Sequence, residues 1–162
     1  MLKKGIPVWS AFIVLKMKKK KKIIIPLKIL KIENDGLHLL MKVTINNKIA
    51  KLIVDTGASR TVLDKNRIHR FVKESNFEKH EALSTGLGTS GMESHIVELK
   101  KLKIGNWKFE NITWVMLDMS HVNNSYSQIG LKEIDGVLGG DILMKYNAVI
   151  DYEKKQMILK LN

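Results

Sequence analysis

The chain reads as a mainly β domain, closed on itself or folded as a sandwich, with one or two short helices. Three observations predict this. Apolar stretches are short and are separated by turn-forming pairs such as Asn46-Asn47 and Gly105-Asn106. Only two brief stretches read as helix. And 162 residues with 44% apolar content suffice for one packed core, with no internal repeat to suggest an array.

The net charge of +12 is concentrated at one end: residues 1–22 hold eight lysines and no acid, leaving +4 for the remainder. Residues 1–22 are therefore read as a basic extension and 23–162 as the domain. A solvated lysine run is preferred to contact with nucleic acid or an anionic membrane. The apolar block GIPVWSAFIVL is 11 residues long, too short to span a bilayer. It is followed by KMKKKKK rather than the small residues of a cleavage site, which opposes export. A cytoplasmic location follows, with Met17 as an alternative start. The absence of cysteine excludes disulfides, thiolate zinc sites and a cysteine nucleophile.

Beyond the extension, IIIPLKILKI (23–32) is an apolar run broken by Pro26, which suits an edge or terminal strand. A turn at 33–36 leads to residues 38–55, two apolar runs joined at Asn46-Asn47 as a hairpin. DKNRIHRFVKES (64–75) spaces Ile68, Phe71 and Val72 as a helix does, behind Asp64 as cap. Residues 76–92 are polar and glycine-bearing, and 95–117 return to strands around Gly105-Asn106. MSHVNNSYSQ (119–128) reads as a loop. IDGVLGGDILMKYN (134–147) reads as a buried strand, two glycines and a helix from Asp141. The last fifteen residues make two strands around a polar turn.

Several signals carry no chemistry. GLGTSG (86–91) matches a dinucleotide fingerprint in letters, but no buried strand precedes it and a strand-like alternation follows. It reads as a hairpin tip. Histidines 38, 69, 80, 95 and 121 lack ligand spacing, so no metal is expected. Asp118, Asp141 and Asp151 read as turn or cap residues.

Asp55 remains. In LIVDTGASRTVLD (52–64) a carboxylate ends what reads as a buried strand, and an unpartnered buried carboxylate costs several kcal/mol. Some eighty residues on, Val137-Leu138-Gly139 precedes a short helix. The two motifs in this order resemble the single-domain aspartic proteases of retroviral type, the retropepsins, and most closely their cellular and bacterial relatives with DTGAS.

That resemblance covers roughly residues 35–162 and implies a closed β-barrel with a flap hairpin. It also implies a homodimer, because the chain has one DTG and no second DTG or DSG. Asp55, Thr56 and Gly57 would be the catalytic tripeptide. Two Asp55 carboxylates facing each other would share a proton, one activating water and the other polarising the scissile carbonyl. Gly57 would bring its N–H to a carboxylate, and the Thr56 hydroxyl would bond across the dimer. Ala58, Ser59, Gly86, Leu87, Gly88, Val137 and Leu138 would contact an extended peptide, with Gly86, Gly88 and Gly91 around the flap tip. Apolar side chains would flank the cut, and no cofactor is required. Chain termini would pair in an intersubunit sheet, with MILKLN a candidate strand.

Ser59 and Arg60 stand where viral members carry an acidic pair, and a viral GGxGG flap is absent. Two other readings use the same chain: a catalytically silent dimer that binds peptides or acts as a scaffold, and a basic nucleic-acid-binding protein with a β domain.

Overall fold

The computed structural model describes residues 22–32, 36–73, 77–86 and 89–161. The leading strands are β1 (Lys22–Pro26), β2 (Lys28–Lys31), β3 (Leu37–Ile45), β4 (Lys48–Val54) and β5 (Val62–Asp64). Then come β6 (Phe77–Gly86), β7 (Thr89–Ile104), β8 (Trp107–Leu117) and helix α1 (Ser120–Gln128). The chain ends with β9 (Gly136–Leu138), helix α2 (Gly140–Lys145), β10 (Val149–Asp151) and β11 (Gln156–Lys160).

Asn46 and Asn47 both take positive φ, 46° and 69°, so the turn twists with its strands and joins β3 to β4 as expected. Asn46 does more. Its main-chain N–H bonds Lys101 O at 2.9 Å, its side-chain oxygen accepts Lys101 N–H at 2.9 Å, and its amide donates to Phe71 O at 3.0 Å. These bonds lie beside Thr44↔Lys103 and Ile45↔Leu102, the pairing of β3 with β7. That pairing closes β3-β4-β9-β5-β8-β7 into a six-stranded barrel. β1 and β10 flank β11 in a separate three-stranded sheet, whose Ile23, Ile25, Met157 and Leu159 join the same core. Pro26 closes edge strand β1, where a missing N–H costs nothing.

The uninterrupted apolar runs have a physical reason. Leu52 and Val54 face the barrel core, while Ile53 faces a second cluster with Leu40, Tyr126 and Ile134 beneath α1. A strand covered on both faces has no polar alternation to show.

Two expectations fail. Of the expected helix over 64–75, residues 64–73 form no α-helix: the chain makes one 3-10 turn, Ile68–Arg70, and residues 74–76 lie outside the described residues. Ile68, Phe71 and Val72 are buried as their spacing implied, but one turn suffices to bury them. Asp64 ends β5 rather than capping a helix; its carboxylate accepts N–H bonds from Asn66 at 3.0 Å and Met119 at 3.3 Å.

Conversely, the stretch 119–128 is no loop: Met119 leads into helix α1, Ser120–Gln128. Met119, Asn123 and Tyr126 are its buried stripe, and the asparagine in the middle hides the apolar period. Asn123 donates to Asp64 Oδ2 at 2.8 Å and accepts Ile134 N–H at 2.9 Å, so its burial is compensated. At the start of α1 the Ser120 hydroxyl, followed by the Ser120 N–H, holds the Asp118 carboxyl below the ordinary range. Among the described residues no helix is long and apolar enough to cross a membrane.

Candidate active site

Strand β4 delivers Asp55 to its end, where the residue is exposed in the single chain although Ile53 and Val54 behind it are buried. The desolvation cost that the sequence raises is therefore absent in this chain by itself. Gly57 N–H donates to Asp55 Oδ1 at 2.8 Å, as the sequence led us to expect. β9 runs parallel to β4 with Val54 beside Leu138, and Asp55 N–H bonds Leu138 O at 3.1 Å.

The loop after Asp55 is tied down along its length. Gly140 N–H bonds Ala58 O at 2.7 Å and Asp141 N–H bonds Ser59 O at 3.2 Å. The Asp141 carboxylate accepts the Thr61 N–H at 2.9 Å and the Thr61 hydroxyl at 2.7 Å; that hydroxyl oxygen in turn accepts Gly139 N–H at 3.0 Å. Asp141 is thus a tether between the loop and α2 as well as a residue of the first helical turn, α2 beginning one residue earlier, at Gly140.

Gly139 permits this closeness. A Cβ there would lie 2.5 Å from Arg60 C and O and 2.9 Å from Ala58 O. Gly139→Ala is expected to cost about 1–3 kcal/mol, since backbone rather than a flexible side chain must move. Urea unfolding checks this; an unchanged midpoint would show that the loop relaxes freely.

A depression of about 380 Å³ opens beside Asp55 and Thr56, with Val137, Ile134 and Met119 in its walls. His38 and Tyr126 border it as well. The described lining holds one carboxylate, that of Asp55. Ala58 and Ser59 are not part of it; their carbonyls face α2. Leu138 is fully buried in the barrel core, so it meets the site through its carbonyl, while Val137, the next residue along the strand, lines the depression. Gly86 pairs with Thr89 at the end of the β6–β7 hairpin; Leu87 and Gly88 lie outside the described residues.

Sequence reasoning did not select His38, Tyr126, Met119 or Ile134. The available signal was the 119, 123, 126 spacing on α1. Burial pushes the Tyr126 hydroxyl above its ordinary value of 10.0. A folded-state value above the unfolded one adds stability that is complete below pH 10 and is lost as pH rises through the folded value. Tyr126→Phe is expected to lack this part of the alkaline decline, read from unfolding free energy against pH in both proteins. Superimposable alkaline slopes would refute it.

The segment above Asp135 is held by charge. Asp135, 1% exposed, accepts Arg67 Nε at 2.9 Å, pairs with Arg70, and accepts Lys51 N–H at 2.9 Å, while Arg67 also pairs with Glu133. β4, the 3-10 turn and β9 meet at this carboxylate.

A model of the family described as aspartyl protease matches residues 41–142, which run from β3 through the Asp55 loop to α2. No curated protein matches the chain. A retropepsin-like aspartic protease from Rickettsia conorii superimposes with a TM-score of 0.51, at 23% identity, over 89% of this chain and 96% of that one. The retroviral protease-like domain of Ddi1 from Leishmania major does so with 0.53, at 15% identity, over 77% and 94%. Both likenesses are of fold. With the family match spanning the barrel, the Asp55 loop and the strand beside it, this retropepsin-like chain belongs to the aspartyl protease family.

Proposed function

We propose that the protein is an aspartic endopeptidase that hydrolyses extended polypeptides as a homodimer, with Asp55 of each protomer sharing the catalytic work. The observation that carries this reading is an exposed Asp55, held by Gly57 N–H, beside a depression with no second described carboxylate in its lining. A proton-sharing pair needs the second carboxylate from another copy. Leu37 and Tyr152, 45% and 56% exposed, border the same depression, an apolar surface that a second protomer would cover.

In this mechanism the ionised Asp55 takes a proton from water as it attacks the scissile carbonyl, and its protonated counterpart donates to the developing oxyanion. Thr56 links the two loops. Val137 contacts the substrate, with Ala58 and Ser59 at the loop's far side and Leu138 acting through its carbonyl. The β6–β7 hairpin with Gly86, Leu87 and Gly88 closes over the peptide and excludes water. Within the chain β11 pairs with β1 on one side and β10 on the other, so among the described strands the outer edges of β1 and β10 rather than MILKLN are the edges that an intersubunit sheet would extend.

Incubation with a diverse peptide library from about pH 3 to about pH 7, with and without a statine-type inhibitor, tests the proposal by mass spectrometry. Inhibitor-sensitive cuts are expected. A dimeric sample that binds peptides but cuts none would instead identify a peptide-binding module.

A further inference from the structure

The depression beside Asp55 has one polar corner that the catalytic tripeptide does not explain. Leu39 pairs with Val54 across β3 and β4, and the register continued by one residue sets His38 opposite Asp55. The His38 ring stacks with Tyr126 at 5.7 Å between centroids, and its Nδ1 is hydrogen-bonded to the Tyr126 hydroxyl. Tyr126 is 4% exposed and packs among Leu40, Ile53 and Ile134, so α1 holds the hydroxyl in place. Burial also favours its protonated form. Assigning the Tyr126 hydroxyl as the donor to Nδ1 places the remaining proton of a neutral imidazole on Nε2. Among the described residues Nε2 has no partner.

We infer that His38, fixed in ring orientation and tautomer by Tyr126, is a specificity-determining residue of a subsite beside Asp55. The subsite takes a large substrate side chain with an apolar body and a hydrogen-bond acceptor at its end, tyrosine in preference to phenylalanine. The walls Ile53, Met119, Ile134 and Val137 pack the body, and Nε2–H donates to the acceptor. A site built to bond a hydroxyl rejects the analogue lacking it, because the donor is then left unpaired. Tyr126 is a positioning residue: it acts through His38.

This inference rests on the protease reading of Asp55, and the test separates the two. Peptides identical except for Tyr or Phe at each position flanking the cut are compared by kcat/KM. Non-hydrolysable statine peptides bearing the same two side chains are compared by calorimetry. Wild type is expected to favour Tyr about three- to tenfold at one position, the contribution of one neutral hydrogen bond. His38→Leu should bring that ratio to unity, His38→Gln should restore part of it, and Tyr126→Phe should reduce it. A Tyr/Phe ratio of one in wild type in both assays, or a ratio unchanged in His38→Leu, overturns the inference. Absence of cleavage with the expected binding ratios would overturn the protease reading and leave the subsite standing.

Discussion

Asp55→Asn is expected to abolish peptide hydrolysis while the protein keeps its fold. The amide matches the carboxylate in shape and its oxygen still accepts the Gly57 N–H, now 2.8 Å from Asp55 Oδ1. What it cannot do is take a proton from water. A positioned general base contributes about 10²–10⁴ in rate, and a homodimer loses both carboxylates with one substitution, so a fall of at least about 10³ in kcat/KM is expected. Because Asp55 is exposed in the protomer, its replacement should change unfolding free energy by no more than about 0.5 kcal/mol in the separated chain. Cleavage kinetics and thermal unfolding on the same preparation check both halves. Cleavage at the wild-type rate in a folded Asp55→Asn protein would remove Asp55 from the chemistry.

The largest loss of stability is expected at a carboxylate remote from the proposed chemistry. Asp135→Ala should cost about 3 kcal/mol. Removing one partner of a buried ion pair costs about 3–5 kcal/mol because the other charge is stranded. The low end applies here, since Arg70 is 41% exposed and can turn to water, whereas Arg67 is 19% exposed and has less freedom. Lys51 N–H also loses its acceptor. Asp135→Asn keeps an acceptor for that N–H and should cost less. Urea midpoints and slopes for the two variants decide the matter. Equal, small losses would mean that the arginines stabilise nothing through this carboxylate. The same substitution should loosen Ile134 and Val137 on either side of Asp135, and so blunt any selectivity of the depression they line.

Gly139→Ala and Asp135→Ala act on different ties of one site. The first forces apart the Asp55 loop and the strand–helix junction; the second unpins β9 from β4. Double substitution should be close to additive if the ties are independent and less than additive if both release the same segment.

Much of this architecture is written in local chemistry. Two asparagines that tolerate positive φ specify the β3–β4 turn, and Gly105 with φ 58° does the same between β7 and β8. Pro26 announces a strand edge. The DTG tripeptide after an apolar run marks the end of β4, and Val137-Leu138-Gly139 marks the strand beside it. Each of these signals depends on a few consecutive residues, so a linear reading suffices.

Helix α1 is the counterexample. SHVNNSYSQ has no strong helix former before its last residue, Gln128, and no acidic first turn, and its buried stripe contains Asn123. That asparagine is tolerable only because Asp64, distant in sequence, and Ile134 beyond the helix supply its partners. The mirror case is DKNRIHRFVKES, whose apolar spacing is helical but whose Asp64 is spent on Asn66, Met119 and Asn123. Local propensity could decide neither segment, since the bonds that tie them together, Met119 N–H and the Asn123 amide to the Asp64 carboxylate, span 55 and 59 residues.

The site divides in the same way. The acid, the glycine that approaches it and the strand that accompanies it are named by two short motifs taken with the family they resemble; the pairing of that strand, β9, with β4 joins residues distant in sequence. The exposure of Asp55, the burial of Leu138 against the openness of Val137, and the meeting of His38 with Tyr126 follow from folding alone. They depend on which faces of β4 and β9 the barrel core and α1 cover, and burial is a property of the assembled chain.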